Sequence, residues 1–231
     1  MNSKARKIII FSLLAITLYL GFKFYCYTMY GPDRFYQLAN IKITGNMTIN
    51  HLELNEEDYY TFKDIKVKNI FEGFERDNNS KETFLRMVRK ENSQVSQVIF
   101  IGSEEQYVDI MKNSKDYRKP FNKISKKENI ANDIDLIKYM EKHNDDEVKY
   151  FMPLTKQKQI YTINEFKNSM LPSIEYVKLV DGYYNGYMYK STSNRSYEVI
   201  VIKNNKRYFF SFLGDYTEEF INDFMNTVVI E

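Results

Sequence analysis

Histidine occurs at only two positions, His51 and His143, and neither stands in an H-E-x-x-H spacing that would turn two imidazoles towards one zinc ion. A triad or metal site built on either would need partners far away in sequence, so structural or surface roles are expected. The carboxylate pairs Glu56-Glu57, Glu104-Glu105, Asp145-Asp146 and Glu218-Glu219 invite comparison with acid/base dyads. Adjacent residues point apart on a helix or a strand, however. These pairs read instead as helix-start and solvating charges. Neither Gly-x-Ser-x-Gly nor a glycine-rich phosphate loop occurs, the eight glycines being scattered. The run Asp77-Asn78-Asn79-Ser80 lacks the glycine and closing glutamate of a calcium loop and reads as a helix cap. The sole cysteine is Cys26, inside an apolar stretch, which leaves the rest of the chain without disulfide, thiolate nucleophile or cysteine-based zinc site. No catalytic set, metal or cofactor is expected.

Two features suit binding. Lys112, Lys115, Arg118, Lys119, Lys123, Lys126 and Lys127 are opposed by one acid, Asp116, and interleaved with Tyr117 and Phe121. In the cytoplasm such a segment would suggest nucleic acid. Outside a membrane the available anions are phospholipid headgroups and phosphate-bearing wall polymers. A solvated linker is the plainer reading; Lys115, Arg118, Lys119 and Lys123 are its candidate binding residues. The second feature is the band Tyr183, Tyr184, Tyr187 and Tyr189. On a strand Tyr183, Tyr187 and Tyr189 share one face and Tyr184 takes the other, so one face is core and the other is open to a partner or glycan.

These residues hang from elements legible in outline. Residues 41–49 alternate as a strand, with Gly45-Asn46 a bend, and residues 59–67 form a second strand. Asn79 and Glu82 predict a capped helix to about Glu91 that buries Phe84, Leu85 and Val88. Residues 94–102 read as a strand running into a capping box, Ser103 to Gln106, and a helix with Tyr107, Val108 and Met111 inward. Residues 112–127, with Pro120 and no period, read as a boundary. Ser125 to Glu128 then opens a helix burying Ile130, Ile134, Ile137 and Met140. A strand at 148–152, a short one at 159–161 and a helix capped at Thr162 to Glu165 follow. Residues 174–180, 183–190, 197–203 and 206–214 predict a four-strand antiparallel meander turned at Asp181-Gly182 and Asn204-Asn205. A final helix carrying Phe220, Ile221 and Phe224 packs on it, and the last residues close as a strand.

All of this follows an apolar head. Residues 8–22 carry no charge and ten Ile, Leu or Phe residues, worth about −3 to −6 kcal/mol towards a bilayer. They make about 22 Å of helix against a hydrocarbon core of about 30 Å, and continuation through Tyr30 makes about 34 Å. Lys23 falls near the far interface, where its stem can reach headgroups, among Tyr19, Tyr25, Tyr27 and Tyr30 as an aromatic belt. A cleaved signal peptide would want small residues before the cut, and positions 19–31 offer bulky ones. Cys26 follows Lys-Phe-Tyr, unlike a bacterial lipobox. Lys4, Arg6 and Lys7 precede the apolar run, which places the N-terminus in the cytoplasm and residues 31–231 outside.

The 231 residues carry a net charge of +2, yet with Lys4, Arg6, Lys7 and Lys23 set aside 29 basic residues face 31 acidic ones. The basic balance belongs to the anchor and is no argument for nucleic acid. Composition is globular, with 43% hydrophobic and 28% charged residues. Its Asn, Lys, Ile and Tyr bias is similar to that of bacterial surface proteins from AT-rich genomes. The expected architecture is α+β: a stub and anchor (1–30), a first α+β subdomain (31–112), a basic linker (113–125) and a second α+β subdomain with an antiparallel sheet (126–231). The expected protein is a single-pass, membrane-anchored, non-catalytic binding domain at the cell envelope, immunity-like or part of an envelope assembly. Its partners would be the bilayer through residues 8–30 and an envelope protein or anionic polymer. The alternative is an anchored or secreted hydrolase with a cryptic carboxylate site.

Overall fold

The computed structural model describes residues 3–30, 41–52, 59–68, 73–77, 80–144, 152–171, 174–192 and 196–231. The apolar head is one helix, α1 (Ser3–Tyr30). Within it Phe11–Met29 is long and apolar enough to cross a membrane. The side chains from Phe11 to Phe22 are exposed all round, as expected of a surface that water does not satisfy.

The first half of the chain is richer in strands than its sequence suggests. Strand β1 (Ile43–Ile49) is as expected. The next candidate divides into a hairpin, β2 (Tyr59–Phe62) and β3 (Ile65–Lys68), because Lys63 turns left-handed at φ 54°. A short β4 (Phe74–Arg76) leads to β5 (Phe84–Glu91). Here the expected helix is a strand; its cap residue Asn79 lies outside the described residues. Phe84, Leu85 and Val88 also fit a helical face, but β5 alternates Leu85 and Met87 into one core and pairs along β6 (Gln94–Glu105). Asn92 and Ser93, both at positive φ, make the tight turn between them. Strand β6 runs through Ser103 and Glu104, overriding the local capping signal.

Four helices follow. They are α2 (Tyr107–Asn113), α3 (Arg118–Glu128), α4 (Asp133–Lys142) and α5 (Leu154–Met170). The basic stretch expected as a linker is thus helical from Arg118, burying Phe121 and Ile124 while its lysines stay in water. It ends at Asn129, left-handed at φ 55°, and Asn132 caps α4 by accepting from the Asp135 N–H at 3.0 Å. Residues 159–161, expected as a strand, lie inside α5. Residues 148–151 of another expected strand lie outside the described residues.

The meander comes next: β7 (Ile174–Gly182), β8 (Asn185–Ser191), β9 (Ser196–Lys203) and β10 (Lys206–Leu213). Helix α6 (Glu218–Asn226), capped by Thr217, and β11 (Val229–Ile230) end the chain. Among the described residues eight strands form one sheet in the order β1-β7-β8-β9-β10-β6-β5-β4. All neighbours are antiparallel except β1 and β7. Strands from before and after the basic segment therefore share one sheet and its cores. One face carries α2 to α5 over Val177, Tyr187 and Ile200. The other carries α6 and a small sheet, β11-β3-β2, over Val199, Val201, Tyr208, Phe210 and Phe212. At β9, both alternating sets of side chains are buried, which is why residues 197–201 read as a nearly continuous apolar run.

Candidate functional site

A groove of about 580 Å³ lies between the start of α3 and the first half of α5. The turn before α3 gives it Lys115, Asp116 and Tyr117; α3 gives Lys119, Pro120 and Lys123; α5 gives Lys158 and Tyr161 among others. The two helices are held apart at that width by stacked cores. Phe121 lies parallel to Phe166 with centroids 6.2 Å apart, and the edge of Tyr117 meets the same ring at 6.1 Å. The Tyr117 hydroxyl donates to Glu165 at 3.2 Å, and burial followed by that carboxylate's charge raises the phenol's pKa. Among the described residues four lysines and one carboxylate, Asp116, thus line a groove walled by two tyrosines and a proline. Neither helix has an acidic residue in its first turn or a side-chain hydrogen bond at its N-cap. Their positive dipole ends add to the lysines' field. The arrangement suits an anion.

Three of the basic residues singled out by sequence, Lys115, Lys119 and Lys123, come together here with Lys158, which sequence reasoning missed. Lys158 lies forty residues downstream on a helix whose polar residues hide its period. Arg118 is exposed on α3 but does not line the groove. The tyrosine band is distributed otherwise. Tyr187 and Tyr189 pack towards the helices, Tyr184 towards the opposite core, and Tyr183 sits in the turn, 54% exposed and stacked on His51 at 4.6 Å. Tyr184 is a structural hydroxyl: it donates to the Val228 oxygen at 3.3 Å and accepts from the Ile230 N–H at 2.8 Å, and burial pushes its pKa up to about 12.

Sequence also gave no hint of a buried polar cluster centred on Arg207 of β10. Its guanidinium carbon lies 4.1 Å above the Tyr107 ring, and it pairs with Glu104 and, at 3.9 Å, with Glu198. Glu198 also accepts from Ser211 at 3.2 Å and from Tyr189; burial raises its pKa against those stabilising contacts. Tyr107 opens α2, whose Tyr107 and Val108 N–H groups donate at 3.1 and 2.9 Å to the fully buried Asp133 of α4. Burial raises the Asp133 pKa, and those two N–H groups oppose the rise. Carboxylates from separate strands do converge here, but on a cation that stacks the helical layer to the sheet. None of them lines the groove. Among the described residues no group of three or more His, Cys, Asp or Glu side chains is placed to hold a metal ion.

The groove is tied to the apolar head. Lys23 and Cys26 of α1 are 7% and 3% exposed, and α1 packs against α5. The Lys23 ammonium donates to the Met152 oxygen at 2.7 Å, two residues before α5 begins. Compared with protein-family models and with curated proteins, the sequence has no match in either.

Proposed function

We propose that this chain is a single-pass membrane protein whose domain sits at the outer face of the cell membrane and binds an anionic envelope component without transforming it. The observation that carries the reading is the division of α1. Its first part, from Phe11 to Phe22, is bare, with Phe11 71% and Leu18 66% exposed, while Lys23 and Cys26 are buried against the domain. Fully burying one such side chain gains about 1.5–3 kcal/mol, so a row of them is a strong drive into lipid. The contact of Lys23 with folded chain supports a retained anchor, since a segment removed after export has no use for it. The lysine-lined groove, with Asp116 the one carboxylate among its described lining residues, supports binding of an anion.

Fractionation and topology mapping test the placement. The native chain is expected in the membrane fraction at full length, with a reporter fused after Glu231 active outside the cytoplasm. Recovery of the intact chain in the soluble fraction, or a reporter active only in the cytoplasm, overturns the reading.

A further inference from the structure

We infer that the α3–α5 groove is a headgroup site for an anionic phospholipid of the same bilayer that holds α1. The inference rests on the anchored reading and names the ligand of that site. Lys23 marks where the uncharged run of α1 ends, and its ammonium sits on Met152. That bond holds Met152 beside the far-interface end of α1, where Lys23 and the tyrosines gather. Lys158 lies only six residues further on, roughly 9 Å along the chain axis at 1.5 Å per helical residue. Whatever the tilt of α5, Lys158 therefore lies within about one Debye length of the end of α1 that Lys23 marks.

Its chemistry matches a phosphodiester. Among the described residues no carboxylate pairs with Lys115, Lys119 or Lys123, whereas Lys112 and Lys127 on either side are met by Asp109 at 3.8 Å and Glu128 at 2.9 Å. Tyr117, Tyr161 and Pro120 offer an apolar wall to the glycerol and first acyl carbons, and about 580 Å³ is room for one headgroup. A second cavity, of about 400 Å³, makes the contrast: it contains Lys190 and Glu175, paired with each other at 2.9 Å, and so presents no net charge from them.

The test uses the full chain in lipid nanodiscs made of phosphatidylcholine alone or with phosphatidylglycerol added. Lysine acylation by a water-soluble ester, read by mass spectrometry, reports each ammonium. With phosphatidylglycerol, Lys115, Lys119, Lys123 and Lys158 should be labelled several-fold more slowly, while Lys90 and Lys127 are unchanged. The variant Lys119→Glu/Lys123→Glu should still insert, and should lose the protection of Lys115 and Lys158 by about fivefold per lysine changed. Equal labelling in both discs overturns the headgroup site and leaves the anchor standing. Protection by inorganic phosphate in phosphatidylcholine discs overturns it too, making the ligand a free anion. A chain that fails to enter either disc overturns both readings.

Discussion

Lys23 and Met152 stand 129 positions apart, yet the ammonium of one rests 2.7 Å from the main-chain oxygen of the other. The lysine is also 5.7 Å from the centroid of the Tyr19 ring. A charged donor on a half-buried carbonyl is worth about 1.5–3 kcal/mol, twice an ordinary hydrogen bond. Replacing Lys23 by alanine should loosen α1 from α5 without harming the sheet. Cys26, one turn on and buried in the same seam, provides the readout: its alkylation by a maleimide should quicken about tenfold or more in Lys23→Ala, with the thermal midpoint of the domain little changed.

Arg207 should be a sensitive charged position in the fold. Its removal leaves Glu198 and Glu104 unpaired beside the helical layer and strips the cation from the Tyr107 ring. Breaking a fully buried pair from one side costs about 3–5 kcal/mol, and with Glu104 half-exposed and Glu198 still held by Ser211 and Tyr189 the loss here falls to about 3 kcal/mol or below. Denaturant titration of Arg207→Met should show a loss of that order. Arg207→Lys should recover little of it, because an ammonium cannot both lie flat on a ring and bridge two carboxylates.

Acid should weaken the fold partly through two carboxylates. Glu218 accepts from Tyr176 and pairs with Lys178; Asp64 accepts from Tyr208 at 2.7 Å. Burial opposes ionisation at both sites, but those donors and cations outweigh it and hold both carboxyls below their ordinary values. Below its ordinary pKa the unfolded chain takes up the proton first, so stability falls with pH from about 4.5 downward through the lowered native values. In the double variant Asp64→Asn/Glu218→Gln this acid limb of the stability profile should flatten, while the chain is less stable than the parent at neutral pH. A limb of unchanged slope would mean these carboxylates do not govern it.

Gly182 closes β7 at φ 95°, and a Cβ there would stand 2.4 Å from the Ile49 oxygen, at the end of the parallel β1–β7 pairing. Gly182→Ala combines a disfavoured backbone with a contact that cannot be relieved by a side-chain rotation. It should cost about 1–3 kcal/mol. Hydrogen exchange should show the loss first in β1, the edge strand whose strand neighbour among the described residues is β7, and last in β9 and β10.

The parts of this fold written locally were legible. The meander β7 to β10 could be read because strand period, Asp-Gly and Asn-Asn turns, and flanking apolar runs agree over short distances; Asn204 and Asn205 do adopt positive φ. Helix α5 could not. Gln157, Thr162, Asn164 and Lys167 are buried on it, and they erase its apolar face. Only the folded chain accounts for Lys167, whose ammonium donates to the His143 oxygen at 3.0 Å and to the Asn144 side chain at 3.3 Å at the end of α4.

By itself the sequence determined the apolar head, the mixture of helix and sheet, and the concentration of basic residues near position 119. Each depends on side chains close together in the chain. Tertiary structure decided that β6 and β5 extend the meander beyond β10, that β1 joins its other edge in parallel, and that Lys158 meets Lys119 and Lys123 across a groove beside Met152. Such pairings are set by which surfaces bury one another, and segments this far apart carry no local mark of the partner they will meet.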